Sequence, residues 1–214
     1  MKLYTYWRST AAYRVRIALN LKGIAAEFDY VDLVKDGGQQ HAADYQAINP
    51  GRTVPTLVLD DGTALVQSLA IVTYLDEAYA DPALLPTAAA ERARVNAAAQ
   101  IIACDVHPIN NLRVGQYLKE AFGRSQDDVV DWMHNWMRIG LNAYQGVIDK
   151  DGSFSFGDAP SLADICLVPQ LYNARRWSMD LTGLERLVAI EQHCLAREAF
   201  AAAAPEAQPD AQTR

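Results

Sequence analysis

A small mixed α/β domain followed by an all-helical domain is the fold class this sequence predicts, and three observations carry the expectation. Up to about residue 81, short segments of strand character alternate with amphipathic helical segments. Two proline pairs, Asp81–Pro82 and Leu85–Pro86, then interrupt the chain as a linker. Beyond them the sequence is Ala-rich, shows apolar residues at i, i+3 and i+4, and offers hardly a strand candidate. The expected division is residues 1–81 and 87–214.

Each element has its own signal. Residues 2–6 read as a strand, residues 10–22 as a helix stopped by Gly23, and residues 27–33 as a second strand. KDGG (residues 35–38) is a loop, and residues 40–48 form a short helix. Strands at 56–59 and 64–67 are joined by Asp60-Asp61-Gly62, a hairpin turn signal. Ser68 caps a helix to about Tyr79. This order, βαβ and then ββα, describes one mixed sheet with helices packed on it. In the second half, Pro108 bends a long helix, because it removes a backbone donor. Ser161-Leu-Ala-Asp164 is a capping-box helix start, and Trp132, Met133, Trp136 and Met137 recur at core spacing. The residues after Pro205 are expected to be loose.

Composition excludes several classes of function. The chain has 214 residues, half of them hydrophobic, with no apolar run that reaches bilayer length and no secretory leader pattern. A net charge of −7 argues against binding a nucleic-acid backbone. Cys104, Cys166 and Cys194 are too scattered for a metal site, and read as buried free thiols in a reducing compartment. These features describe a soluble cytoplasmic protein acting on something small.

The chemistry-bearing residues cluster at element boundaries. Ser9 and Thr10 stand between a strand and a helix, where unpaired N–H groups favour an anion, with Arg8 just ahead. A hydroxyl there can donate to a bound thiolate and lower its pKa; the plainer reading is a helix cap. Gln67–Ser68 occupies a second strand-to-helix junction, suited to a carboxylate or to simple capping. Gln40 is either a ligand contact or a surface glutamine. Val54–Pro55 precedes a strand; on sequence alone the bond is expected to be trans, and a cis bond would turn Val54 toward an extended ligand. In HPINNLR, helical spacing lets His107 share a face with Asn110 or Asn111, and Arg113 follows; the alternative is a polar interface patch. Arg175 and Arg176 close a helix, where they offset its dipole or clamp a carboxylate.

Taken together, RSTAAYRVRIALNLKG, KDGGQQ, QAINPGRTVPTL, QSLAIVTYL, HPINNLR, SLADICLVPQ, ARRW and QPD resemble the zeta-class glutathione transferases, the family of maleylacetoacetate and maleylpyruvate isomerases. The resemblance runs from Met1 to about Asp210. It implies a thioredoxin-like N-terminal domain, an all-helical C-terminal domain and a homodimer. It also implies that glutathione meets Ser9 and Thr10 at its sulfur, Gln40 along its backbone, Val54 beside a cis Pro55, and Gln67 and Ser68 at its γ-glutamyl end. His107 and Asn111 would orient ligand, while Arg8, Arg113 and Arg176 would hold the carboxylates of a maleyl dicarboxylate. The implied reaction is cis–trans isomerisation: thiolate adds to the activated double bond, the bond rotates, and elimination returns glutathione. One departure stands out, since the family's usual Ser-Ser-Cys reads Ser9-Thr10-Ala11 here. HPINNLR leans toward the bacterial maleylpyruvate enzymes. Two alternatives accompany the isomerase reading: a broader transferase acting on α-halo acids, and a non-catalytic binding module on the same fold.

Overall fold

Four short strands, β1 (Lys2–Thr5), β2 (Glu27–Tyr30), β3 (Thr56–Val58) and β4 (Ala64–Val66), form one sheet in the order β2-β1-β3-β4. The computed structural model describes residues 1–212. β1 runs parallel to β2 and antiparallel to β3, and β3 is antiparallel to β4. In register, Asp29, Tyr4, Thr56 and Val66 make one row across the sheet. The chain therefore leaves β1, β2 and β4, and enters β3, at the same end of the sheet. The expected strands are all present, each ending one to three residues short of the sequence reading. The β3–β4 turn closes through Leu59 and Thr63, with Gly62 at φ +87°, a conformation that favours glycine.

Helix α1 (Thr10–Leu21) is buried all round from Thr10 to Leu19, rather than on one face as the amphipathic reading expects. Gly23, at φ +62°, ends it as expected. Residues 40–48 form less helix than expected: 3₁₀ turns at Lys35–Gly37 and Gln39–His41 precede α2 (Ala43–Ile48). α3 (Ser68–Ala78) packs on α1. Ser68 is its first helical residue rather than its cap; the position before the helix is Gln67, whose side chain makes no cap hydrogen bond. Val54–Pro55 is cis, against the expectation from sequence alone and in line with the resemblance; Asp81–Pro82 is also cis.

Two compact units result. The first is Met1–Ala83 joined by the chain from Leu195 onward, and the second is Leu84–Cys194. The expected boundary after residue 81 thus meets a division near Ala83, but the end of the chain groups with the sheet, not with the helices. The tail expected to be loose is held there as far as it is described, residues 213 and 214 lying outside the described residues. The Tyr13 hydroxyl donates to the Phe200 carbonyl, Arg16 Nε to the Ala203 carbonyl, and the Trp7 N–H to Asp210. Pro205 and Gln208 are buried. Composition signalled disorder, whereas backbone carbonyls of this Ala-rich stretch satisfy buried donors of α1.

The second unit contains α4 (Ala89–Gln100), α5 (Leu112–Phe122), α6 (Gln126–Val147), α7 (Leu162–Arg176) and α8 (Glu185–Leu195), and α9 (Glu198–Ala201) follows in the tail. α4 runs into a π-helical turn, Ile101–Val106, then a 3₁₀ turn, Pro108–Asn110. Gly140 of α6 allows close approach here, since a Cβ on it would lie 2.0 Å from Val106 Cγ2. The Ser161–Asp164 box starts α7 as expected, and a second box, Ser125–Asp128, starts α6. Met133 and Met137 are buried as expected, while Trp132 and Trp136 are partly buried and meet edge-on. Cys166 and Cys194 are buried, but Cys104, within the π-helical turn, is exposed.

Candidate active site

All the candidate residues of the first unit follow or precede strands at the end of the sheet defined above. Ser9 follows β1, Gln40 lies in the segment after β2, Val54–Pro55 leads into β3, and Gln67–Ser68 follows β4. Helices α1 and α3 both begin there, so two positive dipole ends gather at one end of the sheet.

Ser9 is the N-cap of α1. Its Oγ accepts the Ala12 N–H at 3.2 Å, and its carbonyl accepts from Tyr13 at 2.9 Å. The capping reading is realised, and it leaves the hydroxyl proton available to a second acceptor. Thr10 and Ala11 are buried in the first turn. Arg8 lies over the Trp7 ring, 5.2 Å from its centroid, with its guanidinium at the same turn. Ser68 Oγ accepts from Arg14 Nη1 at 3.1 Å, which ties the start of α3 to α1. Gln67 is exposed and held at φ +70°, ψ 118°, a strained backbone for any residue but glycine, and its side chain caps nothing. That disposes of the capping reading for Gln67.

The Val54 loop is built by residues the sequence reading passed over. Tyr45 Oη donates to the Thr53 carbonyl at 2.6 Å, and Asn49 Nδ2 donates to the same carbonyl at 2.8 Å. Both side chains also meet Thr56 Oγ1, so they bracket Val54–Pro55 from either side. Burial, as the largest influence, pushes the Tyr45 phenol pKa up, keeping it a neutral donor. Asn49 Oδ1 accepts the Gly51 N–H at 2.9 Å, which accounts for Asn-Pro-Gly in this loop. Among the described residues, no backbone pair uses the Val54 N–H or carbonyl. Gln40 is nine-tenths buried, and its Oε1 has no hydrogen-bond partner among the described residues. Gly38, at φ +103°, makes room for it, since a Cβ there would come within 2.4 Å of the carboxamide.

The second unit places its candidates differently from the sequence reading. His107 ends the π-helical turn, but the helix breaks at Asn111, whose Oδ1 caps α5 by accepting from Arg113 N. His107 and Asn110 share the 3₁₀ turn, whereas Asn111 begins a new helix, so no continuous helical face joins all three. Pro108 was expected to bend a helix; it starts a 3₁₀ turn instead. Arg113 is exposed in the first turn of α5. Arg175 pairs with Glu191, which is buried, so its role is structural. Arg176 is exposed at the end of α7, with its guanidinium 4.7 Å from the Trp177 ring centroid.

Comparison with known proteins matches residues 3–83 to the glutathione S-transferase N-terminal domain family. A maleylpyruvate isomerase from a Ralstonia species is 46% identical over 215 residues, covering 98% of this chain and 99% of that protein. A holo structure of a maleyl pyruvate isomerase, described as a bacterial zeta-class glutathione S-transferase, superposes with a TM-score of 0.95 at 44% identity, over 99% and 100% of the two chains. The chain belongs to the zeta-class glutathione transferases. A maleylacetoacetate isomerase from Methylobacterium extorquens, solved with bound malonate and GSH, is a further structural match, with a TM-score of 0.94 and 40% identity over the whole of both chains.

The zeta-class transferase has a sheet edge that fits glutathione. The orphaned, buried Gln40 Oε1 needs a donor, the free Val54 peptide suits an extended peptide strand, and the helix starts suit carboxylates and a thiolate. Among the described residues, no group of three or more His, Cys, Asp or Glu could hold a metal ion, and no helix is long and apolar enough to cross a membrane.

Proposed function

We propose that this zeta-class transferase is a glutathione-dependent cis–trans isomerase converting a maleyl keto acid, maleylpyruvate or maleylacetoacetate, to its fumaryl isomer. The observation that carries the reading is Ser9: a capping hydroxyl with its proton to spare, at a helix N-terminus beside Arg8. Bound glutathione supplies a thiolate that adds reversibly across the double bond, so that the bond can turn. The protein's task is to keep that sulfur ionised. A free thiol near pKa 8.5 is only a few per cent thiolate at neutral pH, and a fall of about 1.5 units, roughly 2 kcal/mol, makes the anion dominant. Donation from Ser9 Oγ–H and the positive end of α1 both act in that direction.

The remaining assignments follow the motifs. Thr10 supports Ser9, Gln40 and Val54 take the tripeptide backbone beside Pro55, and Gln67 and Ser68 take the γ-glutamyl carboxylate. Arg8, Arg113 and Arg176 take the substrate carboxylates, for which the guanidinium fork is suited, and His107 and Asn111 orient the ligand. Malonate, bound with glutathione by the M. extorquens relative, is a dicarboxylate of the required class. A homodimer in the cytoplasm belongs to the same proposal, and sedimentation tests its dimeric part.

The test pairs glutathione titration with turnover of both maleyl acids. For Ser9→Ala we expect a higher pKa of the bound thiol and isomerisation slowed about 10²-fold at neutral pH. An unchanged pH–rate profile removes Ser9 from the role. Wild-type protein that binds glutathione yet turns over neither acid defeats the isomerase reading. Arg176→Ala should raise the KM for the maleyl acid about tenfold while leaving that for glutathione near wild type. Equal rises for both ligands mean that the clamp lies elsewhere.

A further inference from the structure

The segment carrying Arg8 and Ser9 out of β1 is a tight turn. The Ser9 N–H donates to the Tyr6 carbonyl at 3.0 Å, which makes Trp7 and Arg8 its two central residues. Both polar groups of Trp7's backbone are taken. Arg16 Nη2 donates to the Trp7 carbonyl at 2.9 Å, and Asp210 Oδ2 accepts the Trp7 N–H at 2.9 Å. Arg16, only 1% exposed, also donates from Nη1 to Thr5 Oγ1 and to the Tyr6 carbonyl, and from Nε to the Ala203 carbonyl. One side of the turn is therefore anchored by α1 itself, and the other by the C-terminal tail.

The tail delivers Asp210 to a defined place. Gln208 Nε2 donates to the Ala202 and Ala204 carbonyls, both at 2.9 Å, and its side chain is buried. Ala211 packs against the cluster of Tyr6, Trp7, Val31, Tyr45 and Val54, so the tail touches the apolar patch beneath both the Ser9 turn and the Val54 loop. A carboxylate accepting a peptide N–H makes a charge-assisted bond, stronger than a neutral one. An N–H at this turn position needs no partner to complete the turn. The acidic residue fixes the N–H side of the Tyr6–Trp7 peptide, whose carbonyl side is held by the Ser9 N–H and Arg16 Nη1, two residues before Ser9.

We infer that Asp210 is a positioning residue for the reaction, fixing the Trp7 peptide so that Arg8 and the Ser9 hydroxyl hold their places at the start of α1. The inference rests on the proposal that Ser9 meets the glutathione sulfur. It assigns to the QPD tail a role in the chemistry through the turn, without contact with ligand.

Three full-length proteins test it: wild type, Asp210→Ala and Asp210→Asn, the last of which keeps an oxygen able to accept the Trp7 N–H. In ligand-free protein, amide hydrogen exchange at Trp7 should quicken about tenfold in the Ala variant, while the amides of Ile17 to Leu19 in α1 keep their protection. The pKa of bound glutathione, read from thiolate absorbance, should rise by about half a unit or more in the Ala variant. Both readouts should return close to wild type in the Asn variant. An unchanged Trp7 exchange rate or an unchanged thiol pKa in Asp210→Ala overturns the inference. So does a general loosening in which α1 exchanges as fast as Trp7, or an Asn variant that matches Ala. Failure of wild type to isomerise either maleyl acid counts against the function instead, since the exchange measurement needs neither glutathione nor turnover.

Discussion

The Ser9 hydroxyl accepts one hydrogen bond from the Ala12 N–H, which leaves its own proton to give away. Capping and thiolate donation are compatible duties of a single oxygen, so the two readings open in the sequence do not exclude each other. Ser9→Ala should accordingly cost about 1 kcal/mol of stability as well as rate, and activity is best compared well below either melting transition. Gln67 is the opposite case, a residue whose backbone opposes its identity. At φ +70° its non-glycine side chain carries strain of order 1 kcal/mol or more, while its carboxamide caps nothing. Gln67→Gly should therefore leave thermal stability equal or higher and weaken glutathione binding. A variant that loses stability and keeps its affinity would show that the side chain is structural. Ser9 and Gln67 stand out in the sequence as polar residues at strand-to-helix junctions, but strain at Gln67 has no sequence signal beyond a non-glycine at a sharp junction.

Among the elements, α7 shows how a short motif acts through burial. Asp164, at its third position, is fully buried and accepts from the Ser155 N–H, the Ser161 N–H and the Ser161 hydroxyl. Burial raises its pKa above the usual carboxylate value, and those hydrogen bonds pull it only part of the way back. A carboxyl whose pKa is higher in the folded state supplies its full stabilisation below its unfolded pKa. That contribution is lost as pH rises through the folded value. Wild-type stability relative to Asp164→Asn should therefore fall as pH rises from the carboxylate range toward neutral, as measured by urea unfolding. A relative stability that grows with pH would contradict the sign. The capping box was legible because it is local in sequence. The break at Asn111 was not: periodicity through HPINNLR is continuous, and only the π-helical turn before His107 and the cap at Asn111 interrupt it.

For the molecule as a whole, the decisive feature is a cation hidden in a helix. Arg16 sits within YRVRIAL in α1, yet it is buried and links β1, the Ser9 turn and the tail. Arg16→Met would strand several buried acceptors at once. It should destabilise the protein by about 3 kcal/mol or more, measured by chemical denaturation, and a loss within about 0.5 kcal/mol would deny the network its weight. The sequence by itself determined the order of strands and helices, the turns and stops, the first helix cap and the polar residues that gather at one end of the sheet. All of these depend on neighbours within a few positions, so the pattern carries them. Only the tertiary structure decided that the last residues return to the sheet, that Arg14 and Arg16 are interior, that Tyr45 and Asn49 build the Val54 loop, and that Asp210 reaches Trp7. Those contacts join positions far apart along the chain, and burial turns an ordinary Arg or Asp into a necessary one. No local pattern records which distant carbonyl or N–H will be waiting for it.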